Sequence, residues 1–166
     1  YQEIIGSDIM MVLDVCPMSN NSENKIKEAV NTTSRWAARC KEAHHKGGQH
    51  LFGIIQGGTY RDLRRISAEQ LVALDFDGYA IGGLSLGEPK RSTWDTVGHT
   101  VELMPSDKPR YLRGVGSPED LFEGVEMGID IFDSALPTRV ARNGALYTRS
   151  GRVNIKKAKY SSEFSP

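Results

Sequence analysis

The stretch Leu51-Phe52-Gly53-Ile54-Ile55-Gln56-Gly57-Gly58 decides the fold class. Its first five residues run apolar without alternation and stop on a polar residue and two glycines. A strand covered on both faces reads this way, and such strands belong to parallel sheets. The pattern recurs on either side, in Ile9-Met10-Met11-Val12-Leu13, Gly78-Tyr79-Ala80-Ile81, Arg110-Tyr111-Leu112 and Ile129-Asp130-Ile131-Phe132. Helical periodicity lies between these runs. From about Glu23 to Lys46, Ile26, Val30, Thr33, Ala37, Cys40 and His44 recur at steps of three or four, and Gly47-Gly48 would end that helix. Ser67 with Gln70, and Ser92 with Asp95, resemble capping boxes, while Ser117-Pro118-Glu119-Asp120 reads as a helix start. Strand and helix in alternation mean a parallel α/β protein.

Each run ends in a polar or Gly-rich group: Asp14, Gln56-Gly57-Gly58, Gly82-Gly83, Gly114-Val115-Gly116 and Asp133-Ser134. Parallel folds build their sites at strand C-terminal ends, and so many contributing strands in a row suit a barrel rim better than the switch point of an open sheet. The expected fold is therefore part of a (β/α)8 barrel with about five βα units, roughly three short of closure. Residues 1–166 are expected to form a single catalytic barrel domain, incomplete at both ends.

Composition narrows the function classes. With 166 residues, 39% hydrophobic and 25% charged, the chain suits one soluble domain. No apolar run approaches the ~20 residues of a membrane span, and Tyr1-Gln2-Glu3-Ile4-Ile5-Gly6 has no basic leader. The two cysteines, Cys16 and Cys40, form neither a CxxC nor a metal-ligand cluster, so a reducing, cytoplasmic setting is expected and no metal ligand is assigned. Net charge is zero, yet Ser134 to Ser162 lacks Asp and Glu and carries Arg139, Arg142, Arg149, Arg152, Lys156, Lys157 and Lys159. Such a stripe suits an anionic partner or a solvated tail. His44, His45, His50 and His99 are scattered and read as structural, and Trp36 and Trp94 as core or helix-face residues.

Three polar residues at strand ends could carry chemistry. Asp133, before Ser134-Ala135-Leu136-Pro137-Thr138-Arg139, could attack a sugar C1 and hold a covalent glycosyl intermediate; it could equally cap its loop or pair with Arg139. Asp14 could accept the two parallel donors of a guanine edge or act as a structural acid. Gln56 could read a base edge or sit on a turn. Gly114-Val115-Gly116 falls short of a dinucleotide fingerprint.

Together these motifs resemble the tRNA-guanine transglycosylase family. The matching runs, Met11–Cys16, Phe52–Gly58, Tyr79–Glu88, Tyr111–Leu121 and Gly128–Gly144, follow the family's order and cover most of the chain. The resemblance implies a (β/α)8 barrel that exchanges the wobble guanine, position 34, of tRNAs with GUN anticodons for a 7-deazaguanine through a covalent Asp–ribose intermediate. Asp133 matches the nucleophile. Asp14, Gln56 and Gly83 match residues holding the base, and Cys16, Leu84, Glu88 and Arg113 match others lining the substrate site. Gly114, Val115, Gly116, Ser117, Pro118, Glu119 and Asp120, with Thr138, Arg139, Val140, Ala141 and Arg142, match segments that touch the tRNA anticodon loop. The family's general acid/base, in a Ser-Gly-Gly-containing motif, and its Cys/Cys/Cys/His zinc ligands are not in this sequence. No cofactor is therefore expected in this chain, and one structural zinc in the full-length protein.

Cys16 and Leu86 look like the bacterial branch, which implies a homodimer. Leu86 favours the small 7-aminomethyl-7-deazaguanine over bulky queuine. Arg113 departs from the family, which usually has Met there beneath the base, and Ser134 replaces a common Cys. A non-catalytic tRNA-binding paralogue is the main alternative; the retention of Asp14, Gln56 and Asp133 together speaks against it. A barrel glycosidase using Asp14 and Asp133 is disfavoured by the basic segment after Asp133.

Overall fold

The computed structural model describes residues 1–45 and 47–160; Lys46, expected in the long helix, and residues 161–166, including the end of the basic stripe, lie outside the described residues. A short helix α1 (Gln2–Ile5) precedes five strands: β1 (Ile9–Met11), β2 (His50–Ile55), β3 (Gly78–Ile81), β4 (Arg110–Leu112) and β5 (Ile131–Phe132). They form one parallel sheet in the order β1-β2-β3-β4-β5. The crossovers carry α2 (Glu23–Ala43), α3 (Arg61–Val72), α4 (Lys90–Val101) and α5 (Pro118–Glu126). Sequential parallel strands with a helix after each are the repeating unit of the (β/α)8 barrel, and these five units are part of one.

Burial explains the unbroken apolar runs. Every residue of β3, and all of β2 except His50, is buried. Against them pack Ala37 of α2, Ala68 and Leu71 of α3, and Trp94, Val97 and Val101 of α4. Trp94 is thus a core residue. His44 follows the end of α2 and is tied at its ring nitrogens to the Gln49 carbonyl and the Glu3 carboxylate, a structural role. Two strands are shorter than their apolar runs: β1 stops at Met11, although the Val12 N–H still donates to the Phe52 carbonyl, and β5 starts at Ile131.

Only one of the three expected helix caps is found. Ser117 Oγ accepts from the Asp120 N–H and opens α5 with Pro118 in its first turn. Ser67 lies inside α3, which starts at Arg61, and its hydroxyl accepts from the Gln56 N–H at 3.0 Å. Ser92 lies inside α4, which starts at Lys90 after Pro89. In both, the helix begins earlier than the serine, so neither serine stands at an N-cap. After β5 come α6 (Leu136–Arg142) and an antiparallel hairpin of β6 (Ala145–Thr148) and β7 (Gly151–Asn154), which the basic stripe did not announce.

Candidate active site

The C-terminal ends of the five strands present Asp14, Gln56, Gly82-Gly83, Arg113-Gly114 and Asp133 along one rim. Hydrogen bonds divide the rim into two groups that meet at the end of β4.

Gln56 anchors the first. It is 1% exposed, and its N–H is held by Ser67 of α3. Its Nε2 donates to Asp14 Oδ2 at 2.7 Å. Asp14 is steadied in turn because the Val15 N–H donates to Thr33 Oγ1 of α2 at 2.9 Å. The glycines make room. A Cβ on Gly83, whose φ is +69°, would stand 2.3 Å from Gln56 Oε1, and one on Gly57, at φ +140°, would stand 2.7 Å from the Arg64 backbone nitrogen. Gln56 Oε1 is buried without a hydrogen-bond partner, an acceptor beside the Asp14 carboxylate. The opposite side of Asp14 Oδ2 accepts from Arg113 Nη1 at 3.3 Å.

Asp133 centres the second group. Its Oδ1 accepts from the Tyr111 hydroxyl at 2.6 Å and from the Gly114 N–H at 3.0 Å. Its Oδ2 has no hydrogen-bond partner among the described residues, and the residue is exposed at the rim. Burial, then the hydrogen bond to and charge of Asp133, push the Tyr111 phenol up to about 12, against a lowering by Arg113. Tyr111 therefore remains a proton donor to the carboxylate across the neutral range. Neither alternative role for Asp133 matches this geometry in full: it makes no ion pair with Arg139, and the loop cap after β5 is Ser134, whose Oγ accepts from the Leu136 N–H.

The β3–α4 loop folds around Glu88. This carboxylate accepts from the Ser85 and Leu86 N–H groups and from Thr93 Oγ1. Burial would raise its pKa; these hydrogen bonds outweigh burial and hold it below the ordinary carboxylate value. Leu84 is buried in the main core, and Cys16 is a free, exposed thiol. A cleft of about 210 Å3 opens beside Glu88, lined also by Ser85, Lys90, Thr93 and Asp120, and it excludes Asp14, Gln56 and Asp133. Lys90 crosses it to pair with Asp120 at 2.5 Å, tying the β3–α4 loop to the start of α5.

Among the residues matched to tRNA contact, Gly114, Pro118, Glu119, Thr138, Arg139, Ala141 and Arg142 are exposed, Gly116, Ser117 and Asp120 are half-buried, and the Val115 and Val140 side chains point into the protein. Arg139, Arg142, Arg149 and Arg152 are exposed and form no ion pair among the described residues, so their charge faces solvent.

Two site residues escaped the sequence reading. Arg64 is fully buried on α3, donating to the Gly58 and Ile55 carbonyls and so bracing the loop after Gln56. Burial lowers its pKa to about 9, partly countered by Glu88 and Cys16. Its signal was an arginine within the buried stripe of Leu63, Ser67, Ala68 and Leu71. Tyr111 shares a strand face with Arg113 by simple alternation around buried Leu112. Among the described residues no group of three His, Cys, Asp or Glu could hold a metal ion, and no helix is long and apolar enough to cross a membrane.

Comparison with known proteins matches the chain to one family. The family profile described as queuine tRNA-ribosyltransferase covers residues 1–166. The chain is 58% identical over 166 residues to the queuine tRNA-ribosyltransferase of Dehalococcoides mccartyi, covering 100% of this chain and 42% of that protein. It is 56% identical to the protein of that name from Staphylococcus haemolyticus and 55% identical to that from Bacillus velezensis, over 99% of this chain and 44% of each relative. The chain thus spans less than half the length of these curated relatives, and with its rim of strand-end carboxylates it belongs to the queuine tRNA-ribosyltransferase family.

Proposed function

We propose that this chain is the catalytic core of a tRNA-guanine transglycosylase, exchanging the wobble guanine of GUN-anticodon tRNAs for 7-aminomethyl-7-deazaguanine. The observation that carries the reading is Asp133: one carboxylate oxygen is held by Tyr111 and Gly114 while the other is free at an exposed rim. A nucleophile needs both features, a fixed direction and an unengaged lone pair.

A nucleotide in a single-stranded loop is splayed out at modest cost and its base enters beside Asp14 and Gln56. Asp133 Oδ2 attacks ribose C1′; the C1′–Oδ2 bond forms as the C1′–N9 bond breaks, and guanine leaves with the bonding pair. The incoming deazaguanine gives up its N9 proton to a general base and attacks C1′, releasing the carboxylate. Two inversions leave the sugar configuration unchanged. That general base is the family's aspartate outside these residues. The Asp14 carboxylate is the acceptor for the donor edge of the base, and Gln56 lines the pocket and holds Asp14 through its Nε2. The cationic surface of α6 and the hairpin takes the anticodon-loop phosphates. This reading further takes the full-length protein to act in the cytoplasm, as a homodimer, with one structural zinc.

The test uses full-length protein and an anticodon stem–loop RNA carrying labelled guanine. Wild type should release label on addition of the deazaguanine and form a denaturant-resistant protein–RNA adduct. Asp133→Asn should do neither, because Asn keeps an oxygen for Tyr111 and Gly114 but offers no anionic nucleophile. Release that persists in Asp133→Asn would move the nucleophile elsewhere. Salt-sensitive RNA binding without release in wild type would favour the non-catalytic paralogue.

A further inference from the structure

Asp14 is not free to receive a base. Its Oδ2 already accepts from Gln56 Nε2 at 2.7 Å and from Arg113 Nη1 at 3.3 Å. A carboxylate oxygen offers about two lone-pair directions, so Oδ2 is full and Oδ1 alone remains. Capture of a guanine edge, with its N1–H and 2-amino donors side by side, requires both oxygens. One occupant of Oδ2 must leave.

The two occupants differ in how they are held. Gln56 is 1% exposed and its N–H is fixed by Ser67. The Arg113 side chain is 37% exposed, makes the longer contact, and is anchored at the end of β4. Asp14 follows β1, and β2 and β3 stand between. The guanidinium therefore reaches across the mouth of the site, in the space a ligand must enter to meet Asp14.

We propose that Arg113 is a specificity residue that acts as a latch: it closes Asp14 Oδ2 in the free protein, and only a base with two adjacent donors opens it. The inference rests on reading Asp14 as the acceptor of the base edge. Guanine and its 7-deaza analogues, which present N1–H and a 2-amino group, replace Arg113 at Oδ2 while using Oδ1. Hypoxanthine has the N1–H but no 2-amino group, so it uses Oδ1 and leaves the latch shut. The cost of opening falls only on two-donor ligands, and it is small because the contact is long, at 3.3 Å, and the Arg113 side of the pair is 37% exposed.

The experiment measures equilibrium binding of guanine and of hypoxanthine, with KM and kcat for guanine exchange, on full-length wild type, Arg113→Met, Arg113→Lys and Asp14→Ala. Circular dichroism confirms that each variant is folded. A partly exposed ion pair is worth roughly a factor of two to five in an equilibrium constant. Arg113→Met should therefore bind guanine about two- to five-fold tighter, lower KM by a similar factor with kcat unchanged, and leave hypoxanthine affinity where it was. Arg113→Lys, keeping a cation, should fall nearer wild type. Weaker guanine binding in Arg113→Met would make Arg113 a stacking floor and overturn the latch, as would an equal shift for both bases or no shift. Asp14→Ala separates the two ideas. If it loses guanine while Arg113→Met changes nothing, the latch alone fails; if it binds guanine as wild type does, the base-pocket reading fails and the latch with it.

Discussion

Two carboxylates stand on the same rim and are treated in opposite ways. Asp14 is mostly buried, and one of its oxygens carries both an amide and a guanidinium. Asp133 is exposed, with one oxygen held and the other open. In the proposed reading the same side chain serves as a recognition group in one place and a nucleophile in the other. What differs is the neighbouring backbone. After β1 the chain is drawn down by Thr33 onto α2, toward buried Gln56; after β5 it turns outward into α6. The two groups are linked through β4, which supplies Tyr111 and Gly114 to Asp133 and Arg113 to Asp14.

The largest expected effect separates the two directly. Asp133→Asn should lower turnover by at least about a thousand-fold, as for other enzymatic nucleophiles, with base binding nearly intact. A variant that still turned over would erase the distinction. Gly83→Ala attacks the other side. Its Cβ would collide with Gln56 Oε1 at a positive φ, so the Gln56–Asp14 pair must shift. We expect a loss of about 1–3 kcal/mol in unfolding free energy, read by denaturant titration, and weaker base binding with the Asp133 adduct still formed.

Tyr111→Phe tests how far Asp133 depends on being aimed. Removing a hydrogen bond to a charged group should lower kcat by about ten-fold while leaving base affinity unchanged. The phenol itself provides a pH test. Its folded pKa, near 12, lies above the ordinary value of 10.0. The stabilisation is thus fully present below pH 10 and is lost as pH rises through about 12. Absorbance of tyrosinate should show one late-titrating phenol fewer in Tyr111→Phe than in wild type, where buried Tyr79 is also raised. The smallest effect is expected at the start of α5. Ser117→Ala removes its cap and should cost about 1 kcal/mol of stability, measured by thermal melting.

Legibility was uneven for reasons visible in particular residues. The parallel strands were readable because β2 and β3 are buried on both faces, which forces continuous apolar runs. Strand ends were readable because glycine and polar residues interrupt those runs. The caps at Ser67 and Ser92 were misread because both helices begin upstream of the serine, and the Ser67 hydroxyl instead takes the amide of Gln56, just past the end of β2 and eleven residues earlier. The hairpin after α6 hid because its burial pattern is mostly exposed, so no hydrophobic alternation marks it.

By itself, the sequence determined the parallel α/β architecture, the rim position of Asp14, Gln56 and Asp133, and the basic segment beside them, because burial and periodicity are local properties of a chain. Only the tertiary structure decided which oxygen of each carboxylate is engaged, that Arg113 reaches Asp14 across two strands, that Tyr111 aims Asp133, and that buried Arg64 braces the Gln56 loop. Those contacts join residues from 6 to 99 positions apart. They depend on how far each strand end projects and which face its side chain takes, quantities that exist only once the strands lie side by side.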